Sequence, residues 1–170
     1  MMKAIKMLAA AGLMMTAALA NAATPAPDAA QVKAAHDLLA SMQAEKMLRT
    51  TAGMSKYPNP AQRELMMAKL DKLPAETVYS RLALPVARLL STETALEMTR
   101  YYQSSYGKKV LYQTYNGPPQ MYPTDPTPTA AEKAELKKPA YLKADKEFKA
   151  AEPAIHHEAF LLISEINRSK

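Results

Sequence analysis

The residues of this chain that could perform chemistry fall into two groups, and the first contains histidine. Two of the three histidines are adjacent, in His156-His157-Glu158. Adjacent helix positions point about 100° apart, whereas pairs of histidines that bind one metal sit three or four positions apart. Glu152 precedes His156 by four residues, but no further ligand completes a set. We therefore expect no metal site and no cofactor, and interpret these histidines as side chains of a partly solvated helix.

Other catalytic patterns are absent from the sequence. Ser104 and Ser105 have no base nearby in the sequence, and no serine stands in a Gly-x-Ser-x-Gly turn. The chain has no cysteine, which excludes a thiol nucleophile, disulfides, thiolate zinc sites and acylation as a lipoprotein. Its four glycines form no phosphate-binding loop. We predict no catalytic residue. The alternative hypothesis is a metal-assisted or acid–base envelope enzyme that uses the C-terminal histidines.

The second group is a concentration of tyrosine. Six of the nine tyrosines lie within residues 101–122. Tyrosine offers a large, rigid contact area with a polar tip, which suits protein interfaces and carbohydrate-like or peptide ligands. We predict that part of this segment forms a binding surface. Its members are Tyr101, Tyr106, Lys108, Lys109 and Tyr115.

A structural interpretation of the same tyrosines competes with the binding surface. Tyr102 and Tyr112 would belong to the core, and the others would lie beneath the proline-rich segment that follows them. The two interpretations differ in the exposure of Tyr101, Tyr106 and Tyr115. The binding surface requires these side chains to be exposed, and the structural interpretation requires them to be buried. Aromatic residues interleaved with bases also suit single-stranded nucleic acid, but an export signal argues against that partner.

The N-terminus carries the features of a signal peptide. Lys3 and Lys6 precede an apolar run that ends at Ala20-Asn21-Ala22, an A-x-A cleavage site. The run is short for a bilayer span, so we prefer cleavage after Ala22 to a retained anchor. Removing residues 1–22 takes away two lysines and no acid, and the formal net charge falls from +6 to +4. We expect a periplasmic or secreted protein with no integral membrane segment, whose partner is a protein or another envelope component.

The elements that must position these residues are all helices. Apolar residues recur at helical spacing, and no run alternates as a half-buried strand does. After a disordered tail over 23–27, we predict one all-α domain over 28–167, a small bundle of five to seven helices. The first helix begins at Asp28 and runs to about Thr51.

Prolines and a glycine set the predicted helix boundaries. Pro85 should kink or split its helix, and the helix that carries Tyr102 should bend at Gly107. Five prolines make residues 116–128 an extended connector. Within 129–167, Thr129 opens a helix that Pro139 interrupts, and the last helix begins at Pro153.

The helical spacing also predicts a core, and the segment over about 78–115 contains a recurring pattern. The predicted buried residues are Leu82, Leu89, Met98, Tyr102, Leu136, Phe148, Leu162 and Ile166. The pattern consists of an aliphatic helix, a Ser-capped helix with an acid in its first turn, an aromatic pair, a serine, and a glycine before basic and aliphatic residues. Its members are Ser91, Glu93, Tyr101, Tyr102, Ser104, Gly107, Lys108, Lys109, Val110 and Leu111.

This segment resembles a domain-of-unknown-function family of exported bacterial all-helical proteins. The chain departs from the family pattern at Ser105 and Tyr106, where the family usually has a proline, and at Pro85. The resemblance implies helices, a signal peptide and export, and it implies no reaction. We therefore expect a non-catalytic binding or scaffolding module.

Overall fold

The chain folds as an all-α bundle, as the sequence predicts. The computed structural model describes residues 26–117 and 124–169. The predicted signal peptide, most of the predicted tail and residues 118–123 of the connector lie outside them. The described residues form eight helices, one more than the largest number predicted, and no strand. They are α1 (Ala29–Ser41), α2 (Ala44–Met54), α3 (Pro60–Asp71), α4 (Ala75–Ala87), α5 (Thr92–Gln103), α6 (Ser105–Asn116), α7 (Ala130–Glu135) and α8 (Pro139–Arg168).

Helix α1 is the centre of the bundle. It begins with a capping box, in which the Asp28 carboxylate accepts the backbone N–H of Gln31 and the Gln31 side chain accepts that of Asp28, both at 2.8 Å. The helix then packs mainly on α4 and α5, and α5 packs in turn on α8. Leu38 and Leu39 are completely buried in this contact. The central layer of the bundle is therefore built from α1, α4, α5 and α8.

The predicted first helix is wrong in its length, because a turn at Met42 and Gln43 divides it into α1 and α2. Gln43 has a φ of 56°, a left-handed conformation that no helix interior contains. On both sides of the turn, apolar side chains are buried, including Leu39, Ala44 and Met47. One straight helix would point these apolar residues in different directions. The turn lets two short helices bury them together. Nothing in the local sequence marks this break.

Of the helix boundaries predicted from proline, the interruption before Pro139 is confirmed, whereas the start of a helix at Pro153 is wrong. Helix α4 continues through Pro85 to Ala87, so the proline does not split it. Pro139 is the first residue of α8, and this 30-residue helix runs through Pro153 instead of beginning there. Phe148 before Pro153 and Ile155 after it are both buried. Packing along the whole helix offsets the backbone hydrogen bond that Pro153 removes.

The corner between α5 and α6 lies at Ser104 and not at Gly107, where we predicted the bend. The Ser104 hydroxyl caps α6 by accepting the backbone N–H of Gly107 at 3.0 Å, and it donates to the carbonyl of Tyr101 at 2.6 Å. Gly107 is buried within the first turn of α6. A Cβ atom at Gly107 would overlap the carbonyl oxygen of Tyr101 and lie 2.7 Å from Cα of Tyr102. The glycine is therefore required for the close approach of α6 to the end of α5.

Most of the predicted core is confirmed. The buried members are Leu82, Met98, Phe148, Leu162 and Ile166. Leu89, Tyr102 and Leu136 are half-buried, so the prediction was wrong in degree for these three. Within residues 26–117 and 124–169, no helix combines the length and apolar character needed to cross a membrane.

We predict that Leu162→Ala lowers the free energy of unfolding by about 2–5 kcal/mol, the usual cost of truncating a buried leucine. Leu162 is 4% exposed and lies in the face of α8 that packs on the bundle. Its neighbour Leu161 is 42% exposed and provides a matched control. Chemical denaturation of both variants measures the difference, and equal losses of stability would show that the inner face of α8 is misassigned.

A second pair of variants tests the helix corner. Gly107→Ala should lower the free energy of unfolding by about 1–3 kcal/mol, because the added methyl group displaces the backbone of α5. Gly53→Ala is the control, since a Cβ there meets no atom within 4 Å. Gly53 lies inside α2, so that substitution should raise stability by up to about 1 kcal/mol. Opposite signs are the expected result, and a stabilising Gly107→Ala would contradict the close approach.

Candidate functional site

Four tyrosines from three helices meet beside the α5–α6 corner. Tyr101 and Tyr102 lie in the last turn of α5, Tyr106 in the first turn of α6, and Tyr141 in the first turn of α8. The ring centroid of Tyr101 lies 5.0 Å from that of Tyr102, 6.3 Å from that of Tyr106 and 5.2 Å from that of Tyr141. These separations are typical of aromatic pairs in contact. We call Tyr101, Tyr102, Tyr106 and Tyr141 the tyrosine cluster.

Tyr106 is not part of an exposed surface, and the prediction was wrong on this point. Its side chain is only 8% exposed, and its hydroxyl donates to the backbone carbonyl of Pro126 at 3.0 Å. The connector therefore lies against this tyrosine at Pro126, as the structural interpretation proposed. Tyr101 is half-buried, and Tyr102 is half-buried against Phe148 at a centroid distance of 6.2 Å.

Tyr115 lies apart from the tyrosine cluster. Its half-buried ring borders a mainly apolar cavity of about 280 Å³ between α2, α6 and α8, and its hydroxyl donates to the carbonyl of Met42 at 3.3 Å. The ammonium of Lys46 sits 5.9 Å from the ring centroid. Tyr112 is 68% exposed and is not a core residue. The structure therefore brings Tyr101 and Tyr106 together and does not bring Tyr115 to them.

The two predicted lysines have different environments. Lys108 is exposed. Lys109 is held in an ion pair with Glu132 of α7, at 2.8 and 3.0 Å from the two carboxylate oxygens. The Ser105 hydroxyl and the backbone N–H of Thr129 also donate to Glu132, at 2.7 and 2.8 Å. The ion pair of Lys109 thus joins α6 to α7, and the ammonium group binds a carboxylate of the protein itself.

Glu132 stays ionised at neutral pH because of these contacts. The Lys109 ammonium, followed by the Thr129 backbone and the Ser105 hydroxyl, lowers the pKa of Glu132 to about 2. Its side chain is buried, but every contact favours its charged form. Glu132 is therefore a fixed structural anion and is unsuited to exchange protons in a reaction.

Ser91 and Glu93 act as the predicted structural motif requires. The Ser91 hydroxyl caps α5 by accepting the backbone N–H of Thr94 at 3.2 Å. Glu147 of α8 accepts the backbone N–H of Ser91 at 2.6 Å and the Thr94 hydroxyl at 2.6 Å. Burial by itself would raise the pKa of Glu147, but the hydrogen bonds from Ser91 and Thr94 lower it. Glu93 pairs with Lys143 at 2.6 Å, so this motif joins α5 to α8.

Two cavities border the tyrosine cluster and share four wall residues. The shared residues are Tyr101, Tyr106, Leu136 and Tyr141. The cavity on the side of α7 has a volume of about 220 Å³, and we call it the first cleft. The cavity on the side of the connector and the middle of α8 has a volume of about 380 Å³, and we call it the second cleft. One group of rings thus serves both clefts.

The carboxylates of the first cleft all have cationic partners. Glu97 pairs with Arg100 at 2.6 Å, Glu135 with Lys138 at 2.6 Å and Glu132 with Lys109 as described. The second cleft contains Asp125, Asp145 and Glu152 but a single lysine, Lys149. Lys149 pairs with Asp145 at 2.7 Å.

Asp125 and Glu152 therefore give the second cleft an excess of negative charge. Neither has a lysine or arginine partner within 4.0 Å among the residues that the structure describes. The Nε2 atom of His156 lies 3.9 Å from the Glu152 carboxylate.

The phenols of the tyrosine cluster are neutral at physiological pH. Burial raises the pKa of Tyr101 to about 12, and Asp125 and Asp145 act in the same direction. Burial also raises the pKa of Tyr141, and the nearby Tyr101 and Asp145 add to the effect. The hydroxyl of Tyr141 donates to Asp145 at 3.4 Å. These tyrosines can offer aromatic faces and hydrogen-bond donors, and they are poor general bases.

The C-terminal histidines do not converge on a site. His156 and His157 are both exposed on α8, and the partner of His156 is the single carboxylate of Glu152. His36 lies on α1, where its Nε2 atom is 2.8 Å from Glu76. In the part of the chain that the structure describes, no three His, Asp or Glu side chains are grouped closely enough to hold a metal ion.

Sequence reasoning missed several residues of the clefts. Tyr141 lies 40 positions after Tyr101 and was not grouped with the tyrosine concentration. Asp125 lies within the predicted connector, Glu152 was considered only as a neighbour of His156, and Asp145 was not considered as a binding residue. Asp145 and Glu152 are seven residues apart, which places both carboxylates on one face of a helix. This spacing was the signal from which an acidic helix face could have been predicted.

Comparison with known proteins adds no relative. No family model matches the chain, and neither curated proteins nor solved structures include a match. The resemblance to a domain-of-unknown-function family, stated from residues 78–115, therefore stays a prediction.

Proposed function

We propose that the protein is an exported, non-catalytic binding module that contacts its ligand through the clefts beside the tyrosine cluster. The observation that carries this proposal is the position of three rings, Tyr101, Tyr106 and Tyr141, in the walls of two adjacent cavities. A concave site with aromatic walls and a few polar groups is the usual form of a small-ligand site. This proposal replaces the exposed surface that the sequence predicted with a cleft.

The tyrosine cluster is suited to binding because it is already ordered. Tyr101 contacts rings from α5, α6 and α8, and the Tyr106 hydroxyl is fixed by Pro126. Side chains that are held before binding lose little conformational entropy when a ligand arrives. A half-buried, pre-ordered aromatic wall therefore gives more net affinity than the same number of mobile, exposed tyrosines.

The ionisation of the polar groups supports binding rather than catalysis. A general acid or base works best when its pKa lies near the working pH. The pKa of Glu132 is far below neutrality and that of Tyr101 far above it. Glu132 and Tyr101 thus keep one protonation state near neutral pH, which suits recognition by charge and hydrogen bonding.

Export is supported by the sequence alone. Lys3 and Lys6, the apolar run after them and Ala20-Asn21-Ala22 have the order of a signal peptide. The mature chain would begin at Ala23, a few residues before the capping box at Asp28. Cleavage there would leave every described helix intact, so processing and folding are compatible.

For export, we expect protein isolated from the envelope fraction to have the intact mass of a chain beginning at Ala23. Replacement of Ala20 and Ala22 by Arg should block processing and leave the full-length mass, because the cleavage site requires small residues. A full-length mass for the unaltered protein in the membrane pellet would contradict the cleavage step.

For binding, we expect the mature protein to retain a compound from an envelope extract after gel filtration, as detected by mass spectrometry. Tyr141→Ala should release it, whereas Tyr112→Ala should not, because Tyr112 lies outside both clefts. Leu136→Gln is a second variant in the shared wall, in case Tyr141→Ala fails to fold. Thermal unfolding checks each variant, and retention by folded Tyr141→Ala and Leu136→Gln would argue against the clefts.

A further inference from the structure

The second cleft combines two features that the first cleft lacks. Tyr102 and Phe148 extend its aromatic wall beyond the three rings shared by both clefts. Asp125 and Glu152 add carboxylates that have no lysine or arginine within 4.0 Å among the described residues. Its volume of about 380 Å³ lies within the range of about 300–1,000 Å³ that is usual for small-ligand sites.

The excess of negative charge runs against the charge of the chain. The formal net charge is +6, yet three carboxylates and one ammonium line this cleft. The effect of the carboxylates is visible on the one cation present. The pKa of Lys149 is raised first by its hydrogen bond with Asp145, and Asp125 and Glu152 add to the shift. The cleft therefore stabilises positive charge.

The aromatic wall favours the same kind of ligand. The face of a tyrosine or phenylalanine ring carries negative electrostatic potential and attracts cations within about 6 Å of the ring centroid. The phenols stay protonated, so the rings keep this neutral, quadrupolar character at physiological pH. Aromatic faces and carboxylates together distinguish an organic cation from a sugar, which needs several hydrogen-bonding partners, and from an anion, which the carboxylates repel.

We propose that the second cleft binds an organic cation, an alkylammonium group whose carbon atoms contact Tyr101, Tyr141 and Phe148 and whose charge faces Asp125 and Glu152. The inference rests on the proposed binding function and specifies the chemistry of its ligand. Lys149 competes with the ligand for the carboxylates. Removing this lysine should therefore strengthen binding, whereas removing a carboxylate should weaken it.

The test is a titration of the mature protein with choline chloride. Choline carries a quaternary ammonium, and 3,3-dimethyl-1-butanol is its uncharged counterpart of nearly the same shape. The chain has no tryptophan, and four of its nine tyrosines line the second cleft, so a ligand there should change the tyrosine fluorescence. Isothermal titration calorimetry gives the affinity. We expect choline to bind and the uncharged alcohol to bind at least 10-fold more weakly, in line with a cation–π energy of about 1–2 kcal/mol.

Substitutions of Asp125 and Lys149 should change the affinity for choline in opposite directions. Asp125→Asn should weaken choline binding about 3- to 10-fold, and Lys149→Gln should strengthen it, because each changes the charge that faces the ligand. Both residues are exposed enough that neither variant should disturb folding. Tyr112→Ala is the matched control and should bind choline as the unaltered protein does. Putrescine serves as a second probe and distinguishes a primary from a quaternary ammonium.

Several results would overturn the cation inference. They are equal binding of choline and the uncharged alcohol, unchanged affinity in both Asp125→Asn and Lys149→Gln, and no binding of either choline or putrescine at millimolar concentration. If these probes fail while the extract still yields a compound that Tyr141→Ala releases, the cation inference is wrong and the binding function stands. If the extract yields no compound and the probes also fail, both proposals are wrong.

Discussion

The close approach of α6 to the last turn of α5 is the constraint on which the tyrosine cluster depends. Gly107 has no side chain to separate the two backbones, and Ser104 closes the corner with hydrogen bonds to both helices. The corner sets the distance between Tyr101 on α5 and Tyr106 on α6. Any residue larger than glycine would open the corner and move these two rings apart.

The corner also explains why the tyrosines are half-buried rather than exposed. With α6 folded back, Tyr106 points toward the connector, and Tyr101 meets Tyr141 from the start of α8. Each ring thereby exchanges solvent for contact with another ring, which stabilises the fold. What remains accessible is the space beside the rings, and this space forms the two clefts. The same aromatic contacts thus stabilise the fold and form the walls of the proposed binding clefts.

An ion pair and a set of hydrogen bonds fix the helices that complete the clefts. Lys109 and Glu132 hold α7 against α6, and Glu147 holds α8 against the N-terminus of α5. Both carboxylates accept several hydrogen bonds and have lowered pKa values, so both are charged wherever the protein meets neutral pH. These contacts offset the charges of Glu132 and Glu147. The main electrostatic feature of the second cleft is therefore Asp125 and Glu152, which have no lysine or arginine partner among the residues that the structure describes.

The sequence predicted the parts of this structure that depend on neighbouring residues. Caps at Asp28, Ser91 and Thr129 need only a side chain and the backbone three residues on, and all three are present. The course of α8 through Pro153 depends instead on apolar contacts with distant helices. The break at Gln43 has the same kind of cause, and neither can be read from local propensity.

The clefts could not be predicted from the sequence because their residues are far apart along the chain. The net charge of the chain did not indicate their charge either. Tyr101, Asp125 and Glu152 come from α5, the connector and α8, so only folding brings them together. A chain with formal charge +6 suggests a weak preference for anionic surfaces. Its lysines, however, lie mostly on solvated helix faces, where water screens them. A cleft responds to the charges that line it, and a basic protein can therefore present a site that attracts cations.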